Sequence, residues 1–214
     1  DEQLKFYVFL IFFFAFFLFF FEIFFKNYDF FSVIKISLFY VVSIVSSTGF
    51  DLQVNSLGML PTIIFIFLMF IGGCSASSST GLKIVRVLVL IRYIPVSLKR
   101  IFHPRAIIPV RYNGKALRDE SVRLIFGFFF LFLLIFLAGA FSFSVMGNGF
   151  IVSLSLSAAS ISNMGPIMGS IAEGFSYGDL NIVSKYILMV LMLIGRLEIY
   201  AFFALFSKSV WGRS

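Results

Sequence analysis

Charge is scarce in this chain: 13% of its 214 residues are charged, whereas soluble domains average about 25%. With 60% of the residues hydrophobic, a soluble fold of this size has too little interior to hide its apolar surface. Cysteine and histidine occur once each, as Cys74 and His103. One cysteine excludes an internal disulfide, and without a second cysteine or a nearby histidine it makes a poor metal site. Cys74 therefore reads as a small packing residue. The serine-rich stretch 73–80 invites comparison with an intramembrane protease, but a serine nucleophile needs a positioned base. His103 lies in a basic stretch beside Pro104, with no membrane helix to carry it to the serines. Nor is the stretch a phosphate-binding loop, because Gly81-Leu82-Lys83 lacks the Gly-Lys-Ser/Thr ending. No enzyme is expected.

What the chain has instead is long apolar runs. Leu124 to Met146 is uncharged for 23 residues, and about 20 suffice to cross a bilayer core. Phe6 to Phe25 is a second candidate, interrupted only by Glu22, which reads as interfacial. Leu57 to Ile71 and Ile182 to Phe206 are weaker, interrupted or flanked by glycine, Lys185, Arg196 and Glu198. No cleavable signal peptide is expected, since the start is acidic (Asp1, Glu2) and no small-residue cleavage site follows the first run. Trp211, with Lys208 and Arg213, reads as an interfacial anchor.

The net charge of +7 does not point to nucleic acid. Ten of the 17 basic residues fall between Lys83 and Arg123, opposed only by Asp119 and Glu120. A basic stretch between two spans marks a cytoplasmic loop, here placed at 93–123.

The plan is duplicated. The span 6–25 leads into a shorter apolar segment, Ile36 to Val45, which ends in Ser46-Ser47-Thr48-Gly49-Phe50 before a further span. The span 124–146 passes through Gly147-Asn148-Gly149 into Phe150 to Ile161, ending in Ser162-Asn163-Met164-Gly165-Pro166. Phe6 precedes Gly49 by 43 residues and Leu124 precedes Gly165 by 41. Internal symmetry of this kind is common in membrane transport folds. Segments of 10 to 12 residues are too short to cross a bilayer, so they read as re-entrant helices. The non-helical backbone after them survives at membrane depth only in protein or along a water-filled cavity. Two pore loops follow, each flanked by two membrane helices: an all-α integral membrane protein. Domain boundaries are expected at 1–92, 93–123 and 124–214.

Consecutive backbone carbonyls can replace a cation's water shell, and glycine supplies backbone angles that such a loop needs. Gly49 and Gly165 sit where that freedom is required, with Thr48 and Asn163 able to add oxygens or brace the loop. No carboxylate lies within 162–166, and only Asp51 adjoins the first loop. That favours carbonyl coordination of a monovalent ion over a divalent site. Ordinary helix-hairpin turns carry the same residue types, and the duplication argues against that alternative.

Several stretches, in order along nearly the whole chain, resemble the Trk-type potassium uptake membrane subunits of the Trk/Ktr/HKT superfamily. They are Ser47-Thr48-Gly49-Phe50, the segment Gly72 to Lys83, His103 to Arg111, Ser162 to Pro166, Tyr177-Gly178-Asp179 and Gly195-Arg196-Leu197-Glu198. The family builds one pore from four helix–pore-loop–helix repeats on a single chain, so this chain resembles the half carrying the third and fourth. The resemblance implies four membrane helices plus two re-entrant pore helices. It also implies filter residues Ser47, Thr48, Gly49, Phe50, Ser162, Asn163, Met164 and Gly165, whose carbonyls hold K+ as the transported ion, with no cofactor. Residues 72–81 become an intramembrane gate loop, with Gly72, Gly73, Ser75, Ser77, Ser78, Ser79, Thr80 and Gly81 as gate residues. Ala76, Ser77 and Leu82 stand where the family commonly has glycine. Further implications are a location in the bacterial cytoplasmic membrane, a homodimer, and a soluble nucleotide-binding regulatory subunit docking on the cytoplasmic face.

Arg196, mid-span in the last apolar run, faces a cavity or a partner. By the resemblance it projects toward the pore near the gate; a structural ion pair is the other reading. Glu198, two residues on, points to another side of a helix and is a poor partner for it. A dimerising two-loop channel is disfavoured by the absence of a Thr-Val-Gly-Tyr-Gly filter. Two repeats make half of a pore, so a second chain, the missing half or a non-conducting fragment completes the alternatives.

Overall fold

The computed structural model describes residues 1–25, 29–50, 52, 58–75, 77, 80–103, 108–165 and 177–205. Asp51, Leu57, Ala76, Ser78, Ser79, Pro104–Ile107, Pro166, Phe206, Lys208, Trp211 and Arg213 lie outside the described residues.

Long, mostly apolar sequence produces two long helices, α1 (Glu2–Phe25) and α5 (Asp119–Val145). Both are long and apolar enough to cross a membrane, yet only 22% of the first and 33% of the second is buried within the protein. A helix in a soluble core would be mostly covered. Here Phe12, Phe16, Phe24, Phe130 and Phe141 stand exposed, which a hydrocarbon solvent tolerates and water does not.

Each long helix turns back into a shorter one that packs against it: α1 into α2 (Phe30–Val45), α5 into α6 (Phe150–Ile161). The boundaries of α6 match those read from the sequence. In contrast, α2 is a 16-residue helix that begins six residues before Ile36, because apolar Phe30 to Ile34 extends the helix back to Asp29. Glu22, read as interfacial, is only 2% exposed.

The two remaining spans are broken. Helix α3 (Met59–Phe70) stops after 12 residues and α4 (Ile84–Phe102) resumes beyond segment 71–83. That segment folds back on itself: the amide of Gly72 donates to the Leu82 carbonyl at 2.8 Å and the amide of Leu82 to Phe70 at 2.9 Å. A Cβ on Gly72 would overlap the Thr80 backbone carbonyl, so the two arms approach only because position 72 is glycine. The last span divides into α7 (Ile182–Arg196) and α8 (Ile199–Leu205). Glu198, at φ +59°, cannot continue a right-handed helix.

Residues 93–102, read as loop, continue α4 across position 92, and Arg111–Tyr112 pairs with Lys115–Ala116 as a two-stranded hairpin, β1–β2. Asn113 and Gly114 both have positive φ, 49° and 75°, as a two-residue hairpin turn demands. The hairpin anchors the start of α1. Glu2 pairs with Arg92 at 2.7 Å and accepts from the Asn113 amide at 2.8 Å. Arg100 pairs with Asp119 at 3.0 Å. The first helices of both halves thus start at the same end of the molecule.

The interior is aliphatic and aromatic. Tyr40 stacks on Phe65 at 5.4 Å, and Phe70 meets Phe136 edge-to-face at 4.7 Å. These rings set α3 against α2 and α5, and α3 also packs on α6, which brings the ends of α2 and α6 together.

Candidate functional site

Helices α2 and α6 end in the same backbone conformation. After Val45, Ser46 is right-handed (φ −79°), Ser47 is left-handed at +56° and Gly49 lies at +74°. After Ile161, Ser162 is right-handed (φ −89°), Asn163 left-handed at +52° and Gly165 at +68°. The hydrogen bonds match as well. Amides 46, 47 and 48 donate to carbonyls 42, 44 and 43; amides 162, 163 and 164 donate to carbonyls 158, 160 and 159. These are helix C-caps with a left-handed residue at the first non-helical position.

The two loops touch. A Cβ on Gly49 would overlap the Met164 carbonyl, and it would lie 3.5 Å from the Gly165 amide nitrogen. At Gly165 the same position meets nothing within 4 Å among the described residues. Among the described residues the carbonyls of Ser47, Thr48, Gly49 and Asn163 accept no hydrogen bond. Peptide oxygens left bare at a helix end can take water or a cation. The Phe50 carbonyl accepts from Ser43 Oγ at 2.9 Å and the Gly165 carbonyl from Tyr177 Oη at 3.2 Å. Burial pushes the Tyr177 phenol up to about 12, so it remains a donor.

The second loop is held from outside. Ser162 Oγ donates to the Met69 carbonyl at the end of α3 at 2.6 Å, and Thr80 Oγ1 donates to the Ser162 carbonyl. Asn163 Nδ2 donates to the Met192 carbonyl on α7 at 3.1 Å. Gly195 permits that approach, since a Cβ there would overlap the Ile161 carbonyl. Asn163 is therefore a brace.

Of the residues read as a gate, Thr80, Gly81, Ser77 and Arg196 line one cavity of about 290 Å³, together with Lys83 and Glu198. Gly72 and Gly73 are buried in the arms of the segment. Ser75 is turned elsewhere and donates to Gln3 Oε1 on α1 at 2.9 Å. Arg196 closes α7 rather than standing mid-helix, because the chain breaks immediately after it.

Two residues outside the expected set, Lys83 and Glu198, line this cavity, and Arg86 joins them in an ion-pair cluster. Glu198 pairs with Lys83 at 3.0 Å and Arg86 at 3.3 Å, and the Arg86 guanidinium lies 3.8 Å from the centre of the Phe128 ring. A lone carboxylate in an apolar stretch needs a cation, and the two basic residues following segment 71–81 were the available signal.

Two helices long and apolar enough to cross a membrane, each packed against a shorter helix that ends in a matched loop, form the architecture of a helical membrane protein. The comparisons agree. The family model described as "TrkH: Cation transport protein" matches residues 3–212. The chain is 32% identical over 212 residues to the "Trk system potassium uptake protein TrkG" of Escherichia coli, covering 99% of this chain and 43% of that protein. It is 31% identical over 188 residues to the TrkH protein of Halomonas elongata, covering 87% and 38%. The crystal structure of the potassium transporter TrkH from Vibrio parahaemolyticus superposes with a TM-score of 0.87 at 28% identity, covering 99% of this chain and 45% of that one. The chain belongs to the TrkH cation transport family. It spans less than half the length of these relatives.

Proposed function

We propose that the chain forms two of the four repeats of a potassium uptake pore. In this reading α2 and α6 are re-entrant pore helices, and the loops 47–50 and 162–165 are two quadrants of a selectivity filter. Dehydrated K+ binds to carbonyls of Ser47, Thr48, Gly49 and Asn163. Segment 72–81 gates the path beneath the second loop, with Arg196 contributing charge to the cavity there. The relatives, named as potassium uptake proteins, supply the ion. The single observation that carries the reading is the contact between two loops of closely similar backbone, one from each half. If they lined unrelated surfaces they would have no reason to share a conformation and meet.

The basic end of the molecule, holding Arg92, Arg100, Arg111 and Lys115, is the cytoplasmic face, in the bacterial inner membrane. The remainder of the pore comes from a preceding half or a second chain. A homodimer and a soluble nucleotide-binding regulatory subunit on the basic face complete the assembly.

The test exchanges this chain for the aligned region of Escherichia coli TrkG in a host lacking potassium uptake, with 86Rb+ influx as the readout. The chimera restores influx, and Gly49→Ala removes it. Wild-type influx in the Gly49→Ala chimera overturns the filter assignment. Influx from this chain alone shows that a second copy, rather than a preceding half, completes the pore.

A further inference from the structure

Segment 71–82, α4 and α5 enclose a second cavity of about 730 Å³, within the 300–1,000 Å³ range of ligand pockets. Its walls include Phe70, Leu82, Leu90, Phe129 and Leu133, and apart from Tyr93 and Ser97 every lining side chain is apolar. It opens sideways, where Ile94 and Leu98 are 60% and 53% exposed. In a membrane, the part of that side left uncovered by the rest of the pore faces acyl chains rather than water.

Toward the basic end of the molecule the cavity adjoins another, of about 300 Å³. Tyr93 and Phe126 line both, their rings packed edge-to-face at 4.7 Å. The smaller cavity holds Arg100, Asp119 and Arg123. Arg100 is engaged by Asp119 at 3.0 Å and by the Ile108 carbonyl at 2.8 Å. Arg123 makes no ion pair or hydrogen bond among the described residues. The result is an apolar slot ending beside Tyr93 and a guanidinium that forms no ion pair or hydrogen bond among the described residues.

We propose that this pair of cavities binds one anionic phospholipid, an acyl chain lying between α4 and α5 and the phosphate on Arg123. The charge selects the headgroup: a guanidinium pairs with a phosphate through charge-assisted hydrogen bonds. A zwitterionic lipid brings its own cation to a site that already contains two arginines. An apolar protein helix, the other candidate for the slot, gives Arg123 no partner. The site stands apart from the loops at Gly49 and Gly165, so it does not depend on how ions pass.

Native mass spectrometry of the purified chain, relipidated with phosphatidylglycerol or phosphatidylcholine, tests the site. Phosphatidylglycerol remains bound through delipidation and phosphatidylcholine does not. Arg123→Gln reduces retained phosphatidylglycerol about fivefold, the worth of one basic group at an anionic surface. Arg118→Gln, outside both cavities, leaves it unchanged. Excess inorganic phosphate does not displace the lipid. Arg123 is exposed, so the variant keeps its helical circular dichroism. Equal retention of the two lipids, or unchanged retention in Arg123→Gln, overturns the proposal. So does a structure of the assembled protein with a polypeptide segment in the slot.

Discussion

The loops at 46–50 and 162–165 share dihedral angles and hydrogen-bond register, yet they are supported differently. The first braces itself: Ser43 Oγ holds the Phe50 carbonyl, and Ser46 and Thr48 hydroxyls pair at 2.7 Å. The second is held by α3, segment 71–83, α7 and the turn at Tyr177–Asp179. The same turn chemistry thus gives one locally stabilised loop and one wired to the rest of the molecule. Any movement of segment 71–83 reaches the second loop through Thr80 and does not reach the first by such a bond.

The comparison can be broken most forcefully at the glycines. Gly49→Ala drives a Cβ into the Met164 backbone carbonyl and separates the loops; loss of folded yield and of any thermal transition is expected. Gly165→Ala meets nothing within 4 Å among the described residues and suffers only the left-handed penalty of roughly 1–2 kcal/mol. Thermal unfolding of the two variants should therefore differ sharply, and equal losses would show that the contact is not formed.

Next are the hydroxyls. Ser162→Ala leaves the Met69 carbonyl without its donor, and Thr80→Val does the same to the Ser162 carbonyl, each costing about 1–3 kcal/mol in unfolding free energy. Ser46→Ala, in the first loop, is exposed enough for water to replace it and should stay within about 0.5 kcal/mol. The smallest effect has the opposite sign. Ser47 holds a left-handed conformation at φ +56°, and its hydroxyl is buried with no partner among the described residues. Ser47→Gly should stabilise by about 1 kcal/mol. Asn163→Gly relieves the same strain but loses the bond to Met192, so it should gain nothing in the same unfolding assay.

Much of this architecture was legible. Apolar runs of bilayer length located α1 and α5, and glycines past short apolar segments located both loops. Glycine and serine after Phe70 signalled the break in the second span. Other features rest on contacts distant in sequence. The fourth span breaks at Glu198, which finds Lys83 and Arg86 more than 110 residues away. No local pattern announces that pairing. The donors that hold the second loop are equally remote, Thr80 lying 82 residues from Ser162. The hairpin at Asn113-Gly114 is different: its turn signal is local, but it sits in a stretch dominated by basic residues and read as a loop.

The most direct measurement is anomalous diffraction from crystals of the TrkG chimera grown in Rb+. A Rb+ peak bounded by carbonyls of Ser47, Thr48, Gly49 and Asn163, with Gly49 against Met164, is the expected result. A map in which the two loops stand apart, or in which Rb+ binds elsewhere and leaves those oxygens bare, would contradict the account.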